Sequence, residues 1–255
     1  MKKFKISGIL LLLIVALFTN YQVCCASSNE ENMLDNIDLN NILLMELEGG
    51  VVVIEMYPDV APWHVQRIKM LVREGFYNGL GFHRVIKGFM AQTGDPTGTG
   101  KGGSKFGKLQ AEISDLKHVR GTVSMARASD IDSANSQFFI VTGTYFSHLD
   151  GQYTIWGKVL IGMDLIDNLK SSTDENNGLV KNPDKIIKMY LGQDLNYNYE
   201  NDTEELMENR KKERIELIKN INEFKKLNDE YNKDKSAEEK RDLLDVIIEL
   251  NSELE

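Results

Sequence analysis

The chain has 255 residues, 42% of them hydrophobic and 27% charged, with a formal net charge of −9 at pH 7. That length holds one medium domain with appendages around a substantial core. The acidic balance argues against a sequence-independent nucleic-acid binder, which draws its affinity from clustered Lys and Arg.

The first residues, Met1-Lys2-Lys3-Phe4-Lys5, precede an apolar run from Ile9 to Phe18 and then Cys24-Cys25-Ala26. This basic, hydrophobic, small-residue order is that of a secretory signal peptide, with cleavage expected after Ala26. The apolar run is shorter than the roughly 20 residues that span a bilayer, so no stable membrane span is expected once the signal is removed. An uncleaved signal-anchor is the alternative. Both cysteines would leave with residues 1–26, which excludes a thiolate metal site from the mature chain, and the expected location is the secretory lumen or outside the cell. Residues 27–41 read as a polar, net acidic linker.

Two apolar runs, Leu43 to Leu47 and Val51 to Met56, flank Gly49-Gly50 and predict a hairpin. Ala61-Pro62 opens a helix with Val65, Ile68, Leu71 and Val72 on one stripe, and Gly75 stops it. Strands follow near Leu80 to Val85 and Phe89 to Thr93, then a glycine-rich loop from Gly94 to Gly107. Further strands fall at Thr122 to Ala126, Gln137 to Val141 and Ile155 to Leu160, a second helix at Met163 to Lys170, and a last strand at Lys185 to Leu191. Many short strands with two helices predict a mainly β antiparallel barrel over residues 42–193, an arrangement that removes exposed sheet edges.

Beyond Gln193 glycine disappears, and residues 201–255 carry 17 acidic against 11 basic side chains. Residues 194–255 therefore read as an acidic helical extension. Asp202 with Glu205 and Ser236 with Glu239 fit capping boxes. Leu217, Ile221, Phe224 and Tyr231, and then Leu243, Ile247, Leu250 and Leu254, form two seams, each too short to establish a coiled coil. A helical hairpin turning near Asp234 and a loosely ordered helical tail both fit, and residues 203–255 are left to dock on the barrel, self-associate or recruit a partner. Asn201-Asp202-Thr203 is a glycosylation sequon.

The stretch Phe82-His83-Arg84-Val85-Ile86-Lys87-Gly88-Phe89-Met90-Ala91-Gln92 sets one arginine and one glutamine among large apolar side chains on adjacent strands. That composition makes a pocket rather than a nucleophile site. With Gly94-Asp95, Met125-Ala126-Arg127, Ser136-Gln137-Phe138-Phe139-Ile140, Phe146 and Leu149-Asp150-Gly151-Gln152-Tyr153, it resembles the cyclophilin-type peptidyl-prolyl cis-trans isomerases, in their order, from about Leu43 to Leu191. The style is closest to bacterial members.

The resemblance implies a closed eight-stranded antiparallel barrel with helices capping its ends. It implies isomerisation of Xaa-Pro bonds in proline-containing polypeptides, in aid of folding, with no metal or organic cofactor. Arg84 resembles the catalytic arginine and Gln92 the residue that orients it. Phe89, Met90, Phe139 and Leu149 resemble the floor and walls of the proline pocket, and Ala126 and Gln137 the surface for preceding residues. Three positions depart from the animal cytosolic pattern. His148 replaces a tryptophan, which argues against tight cyclosporin binding; Tyr153 replaces a histidine at the pocket rim; Arg127 replaces an asparagine whose backbone contacts peptide. The rival reading is a proline-peptide binding module with little turnover, its role carried by the C-terminal helices.

Other patterns are weaker. Gly98 to Gly103 fits a Gly-x-Gly-x-x-Gly string but lacks a βαβ setting and reads as a surface loop. His64, His83, His118 and His148 lack close ligand spacing, and Asp130 and Asp132 read as solvated loop charges.

Overall fold

In a computed structural model of the chain, residues 38–172 and 177–196 are described, together with 209, 212, 215, 216, 218–223 and 226. Ile42–Leu47 (β1) and Gly50–Met56 (β2) form the first hairpin, with Leu47 opposite Gly50. The turn needs glycine, because Gly49 and Gly50 hold φ of 98° and 150°, where a side chain is strained. Leu43, Met45, Leu47, Val52, Ile54 and Met56 alternate into the core, as a period of two requires.

Helix α1, Pro62–Arg73, opens on Pro62 and buries Val65, Ile68, Leu71 and Val72. Its first free N–H groups are capped from afar: Trp63 and His64 donate to the Glu112 carboxylate at 3.1 and 3.0 Å. The remaining elements are Arg84–Ile86 (β3), Met90–Thr93 (β4), Thr122–Met125 (β5), Phe138–Val141 (β6), Ile155–Ile161 (β7), Met163–Asp167 (α2) and Lys188–Leu191 (β8). The strands form one antiparallel eight-stranded half-barrel in the order β3-β4-β6-β5-β7-β2-β1-β8. Tyr77, Phe138 and Trp156 meet edge to face inside it, with centroids 5.6 and 5.4 Å apart.

Three elements are at least three residues shorter than predicted, among them β8, which begins at Lys188 rather than Lys185. Residues ahead of Arg84 bond across to the segment before β8 instead of extending β3: Gly79 N–H donates to Ile186 and Phe82 N–H to Asp184. Helix α2 ends at Asp167 rather than Lys170. Among the described residues no ladder joins the end strands β3 and β8, and the segments beside them meet in isolated bridges at Gly81–Lys185 and Arg84–Leu179.

The predicted signal (residues 1–26), the linker up to residue 37, the Asn201 sequon, both capping boxes, the turn near Asp234 and the second apolar seam lie outside the described residues. Of the first seam Ile221 is described, and residues 218–223 are helical with Ile218 and Ile221 buried. No helix among the described residues is long and apolar enough to cross a membrane.

Candidate active site

Period-two alternation decides which side chains leave the core. On β6, Phe138 and Ile140 enter it while Phe139 and Val141 face outward, and on β3 and β4 Val85 and Ala91 enter while Arg84, Met90 and Gln92 face outward. The register sets Arg84 opposite Gln92, and Gln92 opposite Phe139, in one row across three strands. A second row, Ile86, Met90 and Val141, runs beside it. The first row and Met90 of the second line one cleft.

That cleft has a volume of about 130 Å³ and is lined by Arg84, Phe89, Met90, Gln92, Ala126, Arg127, Phe139, Leu149 and Tyr153. A cavity of about 150 Å³ holds benzene, so the cleft has the scale of one small ring rather than an extended side chain. Phe89 meets Phe146 edge-on at 4.7 Å, and Tyr153 meets Phe139 edge-on at 5.6 Å. The Arg127 guanidinium lies 4.7 Å over the Tyr153 ring and also donates to the Gln152 carbonyl.

Arg84 is held on two sides. Its Nε donates to the Asn177 carbonyl at 3.0 Å and its Nη1 to Gln92 Oε1 at 3.3 Å, with Met90 Sδ at 3.8 Å. Burial pulls its pKa downward, yet a guanidinium remains charged at any physiological pH. Gln92 Nε2 donates to Gln137 Oε1 at 2.9 Å, and Gln137 Nε2 donates to the carbonyls of Gly100 and Gly102 at 3.2 and 2.7 Å. The glycine-rich loop is thereby connected to Arg84 through two amides. Asp95 shapes that loop by accepting from Thr97 and Gly100, so its carboxylate fills the centre that an anion would need.

Nine of the eleven residues singled out in the sequence line the cleft. Gln137 instead stands behind Gln92, and His148 sits outside the lining, 5.9 Å from Phe146 and 6.2 Å from Phe89, as an outer rim. The sequence reading missed three participants. Phe146 buttresses Phe89, although it belongs to the motif already quoted. The Asn177 contribution is a backbone carbonyl ninety-three residues from Arg84, for which side-chain identity carries no signal.

The third is His118, buried behind the floor and stacked on Phe139 at 6.1 Å. Its Nδ1 lies 3.0 Å from Asp150 and its Nε2 3.1 Å from Ser124 Oγ. Burial holds His118 below the usual histidine value despite the Asp150 hydrogen bond. For Asp150, burial alone would raise the pKa, but the His118 N–H and ring, the Tyr145 hydroxyl and the Lys117 charge together depress it. A carboxylate can only accept, so the proton between the pair sits on Nδ1, while the Ser124 hydroxyl beside Nε2 donates to the Thr154 carbonyl at 2.9 Å. Among the described residues no group of three His, Cys, Asp or Glu is arranged to hold a metal ion.

Residues 42–191 match the family model described as cyclophilin type peptidyl-prolyl cis-trans isomerase/CLD. A probable peptidyl-prolyl cis-trans isomerase of Brucella suis is 50% identical over 170 residues, 62% of this chain and 85% of that protein. Peptidyl-prolyl cis-trans isomerase B of Bacillus subtilis is 42% identical over 125 residues, 49% of this chain and 86% of the relative. A cyclophilin from Hirschia baltica superposes with a TM-score of 0.55 at 27% identity, over 65% of this chain and 78% of that one. A Cryptosporidium parvum cyclophilin solved in the presence of the dipeptide Ala-Pro gives 0.53 at 32% identity, over 59% and 98%.

Proposed function

The chain belongs to the cyclophilin-type peptidyl-prolyl cis-trans isomerases, and from that membership we propose that its Arg84–Gln92 cleft is where Xaa-Pro bonds are rotated. The barrier to be lowered is roughly 18–20 kcal/mol of amide resonance. Halfway through rotation the proline nitrogen loses conjugation, becomes pyramidal and exposes a lone pair. An N–H donor fixed beside it stabilises that state more than either planar ground state, and only such differential binding accelerates the step.

The observation that carries this reading is the Arg84 guanidinium, anchored by Asn177 and Gln92 at the edge of an apolar, ring-sized cleft. Phe89, Met90, Phe139 and Leu149 take the pyrrolidine ring, and Arg84 donates to the twisting amide. Gln92 keeps the fork in place and offers its amide to the peptide backbone. Ala126, Arg127 and Tyr153 form the wall for the residue before proline. No bond other than the rotating one changes and no proton leaves the peptide. The Ala-Pro dipeptide used with the Cryptosporidium parvum cyclophilin is of the ligand class the cleft fits.

The bridges at Gly81–Lys185 and Arg84–Leu179 support reading the half-barrel as closed. The basic, apolar, small-residue order of residues 1–26 supports action on folding chains in the secretory lumen or outside the cell. Helical residues 215, 216 and 218–223 support a helical extension.

The test is cis-to-trans conversion of a short Xaa-Pro peptide by the full chain and by Arg84→Ala. Turnover that is lost with Arg84 while the peptide still binds sustains the assignment. Binding without turnover in the unaltered chain replaces it with a proline-peptide binding module.

A further inference from the structure

On β1, β2 and β7 both faces of the sheet are buried. Leu43, Met45, Val52 and Ile54 turn into the core, so Leu44 and Val53 must turn outward. Yet Leu44 is 2% exposed, Val53 0%, and Ile161, the register partner of Val53, 1%. Leu44 pairs with Val53, which places the three side by side across three strands, and Ile42, 1% exposed, extends the patch along β1. Farther along the same outward face Glu46 stands opposite Lys188, the polar surface that a solvated sheet presents. Outward apolar side chains reach such burial only beneath another segment of protein.

The chain itself leads there. After β8 it enters the short helical turn Gly192–Asn196, and a Cβ built on Gly192 would stand 3.0 Å from the Ile42 Cβ. Beyond it, residues 218–223 are helical, with Ile218 1% and Ile221 0% exposed while Glu216 and Glu223 face solvent. Positions three apart share one face of a helix, and a helix of a few turns cannot bury two isoleucines against itself. These residues belong to the same compact unit as the barrel.

We infer that the helical segment carrying Ile218 and Ile221 docks in cis on the outward face of β1, β2 and β7, covering Leu44, Val53 and Ile161. The patch lies at the β7-β2-β1 end of the sheet order and the catalytic cleft at the β3-β4-β6 end. The docked helix is thus a second layer that stabilises the half-barrel and leaves the cleft open. A second copy is the poorer occupant: four side chains fall short of the roughly 800 Å² per partner of a stable interface. A tethered segment needs no such area, because its linkage supplies an effective concentration on the order of millimolar.

Hydrogen exchange on the full chain gives the first test. Amides of residues 218–223 are expected to exchange as slowly as those of β1 and β2, and to remain protected on dilution in a species that sediments as a monomer. Exchange at the rate of an unstructured peptide overturns the inference, and so does protection that vanishes on dilution together with a dimer. In I218D/I221D the melting temperature is expected to fall by at least about 5 °C, with kcat/KM within about twofold of the parent. An unchanged melting temperature overturns it as well.

Discussion

Arg84 and Gln92 are register partners across the β3–β4 ladder, and Arg84 Nη1 donates to Gln92 Oε1 at 3.3 Å while its Nε donates to Asn177 at 3.0 Å. Two nitrogens of the fork are therefore spent on orientation, and the planar geometry fixes where the rest points. A lysine carries the charge but cannot hold both anchors and still reach the peptide. Arg84→Lys is expected to lose nearly as much as Arg84→Ala, about 100- to 1000-fold in kcat/KM, the loss of about 2.7–4 kcal/mol that follows removal of one preorganised donor. Peptide isomerisation with both variants checks this, and rescue by lysine would show that charge alone suffices.

Gln137 stands behind Gln92, outside the cleft lining. Its Oε1 accepts from Gln92 Nε2 at 2.9 Å and its own Nε2 donates to Gly100 and Gly102. Gln137→Leu takes a partner from the half-buried Gln92 amide and Gly102 carbonyl and from the exposed Gly100 carbonyl, at about 1–3 kcal/mol only where water cannot replace the bond. The expected result is a fall in kcat of roughly tenfold with KM little changed, since the ring pocket is untouched. A KM-only effect would place Gln137 in direct contact with substrate.

Arg127 sets the charge of the cleft's outer wall. Its guanidinium rests on the Tyr153 ring at 4.7 Å, beside the second cation of the site, Arg84. Peptides with Glu before proline are expected to turn over about threefold faster than those with Lys, the scale of an exposed charge pair. Arg127→Gln should shrink that ratio, and added salt should shrink it in the parent. A ratio indifferent to salt would remove Arg127 from specificity.

The cleft was legible in the sequence through the cyclophilin-like motifs that hold its principal side chains, and in the structure alternation accounts for the direction each one takes. Arg84, Met90, Gln92 and Phe139 are spaced so that period two and a short turn bring them to one face. The strand and helix positions were legible as well, from Leu43 and Val52 in the first hairpin to Val65 and Ile68 on α1. Long-range polar partners were not. The Asn177 carbonyl, the Glu112 cap on α1 and the stacking of His118 on Phe139 depend on which loops meet, and nothing local in the chain encodes that. Glycines 98–103 form a loop, as read from the sequence, and their backbone groups bond Asp95 and Gln137.

Glu112 substitutes for a local N-cap. Ala61 offers no side-chain cap, so Trp63 and His64 donate to Glu112, whose Oε2 also lies 2.6 Å from His64 Nδ1. Glu112→Ala strips two N–H groups and a buried ring of partners, an expected loss of about 2–3 kcal/mol, or roughly 5–10 °C in melting temperature. Because α1 contributes nothing to the cleft, kcat/KM below the melt should hold. Glu112→Gln, which retains an acceptor, should lose less than half as much stability.

Three histidines make stability, though not catalysis, sensitive to mild acid. His64, His83 and His118 are each at most 1% exposed, and burial pulls all three below the usual value of about 6.5. Glu112 and Asp150 oppose this for His64 and His118, and Asp95 opposes it for His83, where the charge of Arg84 adds to the burial effect. Below about pH 6.5 the unfolded chain binds protons that the folded chain refuses, so stability falls as pH drops, by about 1.4 kcal/mol per pH unit for each such proton. Asp95 and Asp150, held below the usual carboxylate range, add their loss only below about pH 4. Urea melts at pH 7.5, 6 and 5 should give a slope of up to three protons, and His83→Leu should remove one. Across that window Arg84 stays charged, so kcat/KM should remain flat while the melting midpoint moves. Stability independent of pH between 7.5 and 5 would mean that the buried rings are protonated in the fold.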